Sequence, residues 1–154
     1  SLPAFGPGRT RRFDPAARDI GRMGESDLVE DAYRFKTPRL RNVALTAPYG
    51  HNGAYPTLEG IVRHHLDPAG MRIKWQRNMA ELPLVPWLQN IDFVVQSDRF
   101  EMERQSKKVD ILAKTLSDQE VSDIVTFLKS LTGKSAKLGT LGIPESVPSG
   151  LSID

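Results

Sequence analysis

Eleven prolines and twelve glycines are spread along this 154-residue chain and never gather into one linker. Each proline removes a backbone donor and each glycine loosens φ, so a helix running between them stays short. The expected fold class is therefore all-α: several short helices joined by long, ordered loops, in one domain with tails. Residues 1–133 read as the domain and residues 134–154, with Pro144, Pro148 and three glycines, as an extended tail.

Composition narrows the function classes. Hydrophobic residues make up 39% and charged residues 26%, a soluble globular balance, and no apolar run approaches the ~20 residues of a membrane span. The formal charge of +2 is too small for a nucleic-acid footprint. There are no cysteines, which excludes disulfide scaffolds, cysteine zinc sites, thiol catalysis and thioether attachment of a haem within this chain. Ser1–Phe5 shows no signal peptide, so the chain reads as cytoplasmic, already processed or a fragment.

Residues 1–34 show no sustained period: Phe5-Gly6-Pro7-Gly8 and Asp14-Pro15 are turn chemistry, and Arg9, Arg11 and Arg12 form a small basic cluster. From Thr37, an N-cap followed by Pro38 predicts a short helix with Leu40, Val43 and Ala44 on one face, ended by Pro48. Tyr49-Gly50-His51-Asn52-Gly53 then forms a tight loop. A second helix starts at Pro56-Thr57, with Leu58, Ile61, Val62 and His65 at i, i+3, i+4 and i+7, and is stopped by Asp67-Pro68-Ala69-Gly70. A step of ~100° per residue turns His65 inward beside Leu58 and leaves His64 at the border of the stripe. Residues 71–96 look loop-rich, and Ser97 to about Lys108 looks like a charged surface helix. The last helix is the clearest, with a Ser117/Glu120 capping box, a stripe of Val121, Ile124, Val125, Leu128 and Leu131, and Gly133 as the stop.

Chemistry has few candidates. His51, His64 and His65 are the only histidines, and neighbours on a helix point roughly 100° apart, which is poor geometry for sharing a zinc ion. There is no nucleophile elbow and no phosphate-binding glycine motif. His65 on an apolar stripe has two readings: a core histidine bonded to a carbonyl, or an axial ligand offered to a haem iron. Spacing does not separate them.

The run Phe35-Lys36-Thr37-Pro38-Arg39-Leu40-Arg41-Asn42-Val43-Ala44-Leu45-Thr46-Ala47-Pro48-Tyr49-Gly50-His51-Asn52-Gly53 resembles the signature of the bacterial di-haem cytochrome c peroxidase and MauG family. The helix from Thr57-Leu58-Glu59, the helix from Leu116-Ser117-Asp118 to Gly133, Phe5–Gly8 and Val147-Pro148-Ser149-Gly150 are similar too. The resemblance implies the C-terminal part of such a protein: a cytochrome c-like domain holding the electron-transfer haem. It places the sixth haem ligand, Met in the peroxidases and Tyr in MauG, at His65, with Met71 as a rival in the following loop. Imidazole in place of thioether implies a lower reduction potential. The resemblance also implies a calcium ion bound by backbone carbonyls matching Thr46 and Pro48. It gives His51 a hydrogen-bonding role near the haem, and Arg41 a haem propionate as partner.

The departure is the absence of any Cys-x-x-Cys-His motif, so the covalent anchors of haem c and its proximal histidine are not in this chain. The expectation is a fragment of a periplasmic oxidoreductase, inactive alone, whose partners are the missing N-terminal portion and a small electron-donor protein. Two alternatives stand beside it: a non-catalytic c-type electron carrier, and a haem-free helical interaction module.

Overall fold

A computed structural model describes residues 19–82, 85–87, 89 and 92–138. The Arg9/Arg11/Arg12 cluster, the turns at Phe5–Gly8 and Asp14-Pro15, and Val147–Gly150 lie outside the described residues. Within them the chain is all-α. Seven helices follow one another: α1 (Met23–Ser26), α2 (Leu58–Leu66), α3 (Pro68–Lys74), α4 (Val94–Ser97), α5 (Arg99–Ser106), α6 (Asp118–Ser130) and α7 (Lys134–Leu138). Extended pairing is confined to two isolated bridges, Gly21 with Arg34 and Tyr49 with Tyr55.

The core forms where α2 meets α6. Thr57 caps α2 by accepting from Gly60 N–H at 3.1 Å, and Leu58, Ile61 and Val62 pack with Ile124, Val125 and Leu128 around Tyr49 and Tyr55. At the start of α6, Glu120 Oε2 accepts from Ser117 N–H at 2.7 Å and from Ser117 Oγ at 2.8 Å, while Ser117 Oγ accepts from Glu120 N–H at 3.3 Å. Those two bonds from Ser117 hold the Glu120 carboxyl below its ordinary range. Arg63 ties the two helices, reaching Glu59 at 2.8 Å and Asp118 at 2.7 Å.

The backbone differs from the sequence reading in several places. The helix expected after Thr37 is one 3₁₀ turn, Val43–Leu45. Asn42 breaks it: φ is 61°, its N–H donates to Leu131 O at 3.1 Å, and its Oδ1 accepts from Gly133 N–H at 2.8 Å. The end of α6 has claimed the backbone that a longer helix would use. Asp67-Pro68 ends one helix and starts another in the same step: Asp67 Oδ1 accepts from Gly70 N–H at 2.9 Å with Pro68 in the first turn of α3. A loop was expected there, and the Asx-Pro signal fits an N-cap equally well. On the charged helix α5, mostly solvent-facing as expected, Glu101 is only 1% exposed. The expected extended tail begins with the helical turn α7; residues 139–154 lie outside the described residues.

A second, smaller cluster of Ile20, Met23 and Ala32, with Tyr33 against it, forms near the start of the described chain. It closes through Arg22 N–H to Arg34 O at 2.8 Å and Tyr33 N–H to Ile20 O at 3.0 Å. Gly21, at φ +60°, permits this: a Cβ there would lie 2.4 Å from the Arg34 carbonyl oxygen.

Candidate functional site

The loop before α2 is shaped by its glycines and Pro48. Gly50 and Gly53 hold φ at +80° and +67°, and a Cβ on Gly53 would lie 2.8 Å from Pro48 Cγ. The Ala47–Pro48 bond is cis. Tyr49 and Tyr55 exchange backbone bonds at 2.7 and 3.0 Å, which folds the loop back and buries both rings against α2. From there Tyr55 Oη lies 3.0 Å from His64 Nδ1. Trp75, just past α3, donates its indole N–H to Ala54 O at 3.0 Å.

The two adjacent histidines have exchanged the environments expected of them. His64 is half-buried, against the Tyr55 ring and hydroxyl. Burial, and then the neighbouring His65, lower its pKa, while burial raises that of Tyr55. His65 is exposed, with Nδ1 2.9 Å from the Ile61 carbonyl one turn back. The inward stripe therefore holds for Leu58, Ile61 and Val62 and fails at its fourth member. Its partner helix explains this: α6 begins at Asp118, level with Arg63. Beyond that point the segment passing α2 is bonded through Lys114 N–H to Leu66 O at 2.7 Å, and its Ile111 and Leu112 are 50% and 83% exposed. The two imidazole rings stand 86° apart with centroids at 5.7 Å, so they face different surroundings.

His64 lines a cavity of about 630 Å³ whose walls include Tyr33, Phe35, Trp75, Phe93 and Arg72. At its edge His51 Nε2 sits 2.5 Å from Asp19 Oδ2 and its ring lies 3.9 Å from that of Phe35. Glu101, also lining it, accepts from Tyr33 Oη at 2.6 Å and from Arg104 Nε at 3.2 Å. Burial and the facing carboxylate push the Tyr33 phenol up to about 12. Sequence reading missed this buried carboxylate. An acidic residue on a helix without an apolar stripe gives no local sign that a distant tyrosine will cover it.

The other expected site residues are dispersed. Arg41 is exposed and forms no ion pair among the described residues. Thr46 and Pro48 are exposed, and Thr46 Oγ1 donates to Val43 O at 3.0 Å. Met71 sits on α3, not in a loop, and packs into the core beside α2. Among the described residues no three His, Asp or Glu side chains converge to hold a metal ion.

A small all-α fold with His51 and His64 lining an aromatic-walled cavity is the class these features define. Comparison with known proteins sharpens it: the matched relatives are cytochrome c peroxidases and MauG, so the resemblance to that family stands. The chain is 57% identical over 47 residues, 30% of its length, to the cytochrome c peroxidase Ccp of Escherichia coli (strain K12), of which the match covers 10%. It is 24% identical over 131 residues, 84% of its length, to the methylamine utilization protein MauG of Methylophilus methylotrophus, of which it covers 30%. With the cytochrome-c peroxidase IdrP2 of Pseudomonas sp. (strain SCT) it shares 38% identity over 55 residues, covering 36% of this chain and 15% of that one. The matches thus span between a tenth and a third of these relatives' length. No family model matches the chain, and no solved structure matches it significantly.

Proposed function

We propose that this chain forms the distal-ligand side of a c-type haem domain in a periplasmic peroxidase- or MauG-type oxidoreductase. The other side of the haem, with its thioether anchors and proximal histidine, would be held by polypeptide outside this chain. The observation that carries this reading is the state of His65. Its Nδ1 is engaged by the Ile61 carbonyl at 2.9 Å, which fixes the tautomer and leaves Nε2 with the lone pair. That ring is exposed, not turned inward as the apolar stripe predicts, so in this reading polypeptide outside the chain closes over it.

From this chain His65 would hold the haem iron. When bound, a haem supplies reversible one-electron storage at a potential set by its axial ligands and burial. This chain orients the imidazole through the Ile61 carbonyl, anchors the helix beneath it through the core, and offers Arg41 to a haem propionate. His51, held by Asp19 and Phe35, is in this reading a hydrogen-bonding neighbour of the haem. The carbonyls of the exposed turn at Thr46 and Pro48 would give a calcium ion part of its oxygen shell, the rest coming from the missing domain. Electrons would enter from a small donor protein and pass to a second, peroxide-reactive haem.

A second reading has its own observation: His64, not His65, lines the cavity, so the cavity would be the haem crevice and His64 the ligand. Electron paramagnetic resonance of the longer, haem-loaded protein separates the two. His65→Ala should convert a low-spin bis-histidine signal to high spin, and His64→Ala should leave it. An unchanged signal in His65→Ala removes the assignment, and loss in His64→Ala alone transfers it. Peroxide turnover with a reduced donor protein separates the enzyme from a simple electron carrier.

A further inference from the structure

Residues 19–35 form part of the wall of the 630 Å³ cavity and are fastened by side chains to two of its other walls. On the α5 side, Glu101 accepts from Tyr33 Oη at 2.6 Å and Lys108 Nζ donates to the carbonyls of Val29 and Glu30 at 3.2 and 3.5 Å. The Arg34–Asp110 pair, at 2.5 Å, lies just beyond. On the side of the loop before α2, Asp19 Oδ2 lies 2.5 Å from His51 Nε2 and the Phe35 ring lies 3.9 Å from the imidazole. The buried apolar side chains of the segment, Ile20, Met23 and Ala32, form a cluster with Tyr33, and none of them joins the core of α2 and α6. Residues 36–40, which follow, are exposed and lie in no helix or bridge; at Asn42 the backbone is tied to the end of α6, its N–H donating to Leu131 O at 3.1 Å.

A segment held this way has a coherent interior and a weak seam. Its own apolar packing survives a movement of the whole, whereas each fastening can be exchanged for water. The side chains of the Asp19–His51 and Arg34–Asp110 pairs are about half exposed, where ion pairs contribute little. The Tyr33–Glu101 bond is shielded, Glu101 being 1% exposed, and it ends on a carboxylate, which makes it the strongest fastening. Elements with few apolar contacts to the body of a protein open while the rest stays folded. We propose that residues 19–35 are a lid on the cavity, hinged at residues 36–40 and latched chiefly by Tyr33 on Glu101, and that its opening gates the entry of small solutes. The lid follows from the packing of this chain alone, goes beyond the haem reading, and holds whichever histidine takes a metal.

The chain has no cysteine, so Gln105→Cys introduces a single thiol. Gln105 lines the cavity on α5, one turn after Glu101 and one turn before Lys108, between the two points where the lid is fastened. Ser106→Cys, on the exposed side of the same turn, is the reference. The rate of labelling by N-ethylmaleimide, a small neutral solute, reads how often each thiol is uncovered. The Gln105→Cys thiol should react about tenfold more slowly than the reference, and Tyr33→Phe should remove most of that difference, the scale of one hydrogen bond to a carboxylate. Arg34→Gln should raise the rate by about twofold, the scale of an exposed ion pair. Equal labelling of the two thiols, a Gln105→Cys rate unmoved by Tyr33→Phe, or a rise matched by lost amide-exchange protection in α2 and α6 overturns the lid. Should Tyr33→Phe not fold, Arg34→Gln carries the same test from an exposed pair, and an unmoved rate there overturns the lid. No iron enters these measurements, so failure here leaves the His65 assignment to its own experiment.

Discussion

The small cluster around Ile20 and the main core around Leu58 and Leu128 are attached to the molecule in different ways. The main core is continuous apolar packing between α2, α6 and the Tyr49–Tyr55 loop. The small cluster closes on itself, and what joins it to the rest is mostly polar. Tyr33 bonds Glu101 at 2.6 Å, Arg34 bonds Asp110 at 2.5 Å, His51 bonds Asp19 at 2.5 Å, and Lys108 bonds the Val29 carbonyl at 3.2 Å. Apolar packing is cumulative and indifferent to pH. Polar attachment is directional, and exposed ion pairs contribute at most about 1 kcal/mol each. The N-terminal cluster is therefore the part that opens first, and it covers one side of the cavity, to which Asp19, Tyr33 and Phe35 belong.

The comparison can be broken most forcefully from the core. Leu128→Ala removes a side chain that is 8% exposed and should lower global stability by about 2–5 kcal/mol, read as a shifted urea midpoint. A loss under ~1 kcal/mol would mean that α2 and α6 are not the main source of stability. A smaller and more local effect is expected of Tyr33→Phe. It deprives Glu101 of its 2.6 Å donor, at a cost of about 1–3 kcal/mol. Amide exchange should accelerate over residues 20–34 while α2 and α6 keep their protection; uniform acceleration would show that the cluster is not a separate unit.

Acid should have the smallest effect, and at the edge of the core it acts through His64. The pKa of His64 is lowered in the folded state, chiefly by burial, so the unfolded chain binds the proton more readily. The contribution of neutral His64 is complete above the unfolded value of about 6.5 and is lost as pH falls through the depressed folded value. The urea midpoint should decline over that window in the native chain, and the decline should flatten in His64→Gln. An identical slope in both would assign it to other groups.

The sequence carried those parts of the fold that depend on neighbours a few residues away. The capping box at Ser117 and Glu120, the cap at Thr57, the stripe of α6 and the first three members of the α2 stripe are all local patterns, and all appear in the structure. Features decided by distant partners were not legible. Asn42 turns left-handed because the end of α6 bonds it, and Glu101 is buried because Tyr33 covers it from 68 residues away. The histidine pair shows the limit most directly. A helix wheel gives direction around an axis and says nothing of how far the partner helix extends, and His65 stands where α6 has not yet begun. The value of the family signature lay in Phe35–Gly53 as a run of residue types; the structure then distributed Arg41, Thr46, Pro48 and His51 around the turns instead of gathering them.

Asp67 serves as the last residue of one helix and the cap of the next, and a Cβ on Gly70 would fall 2.0 Å from its carboxylate oxygen. An elbow of one residue has no slack. A tilt of α3 is therefore carried into the final turn of α2, the turn that bears both imidazoles.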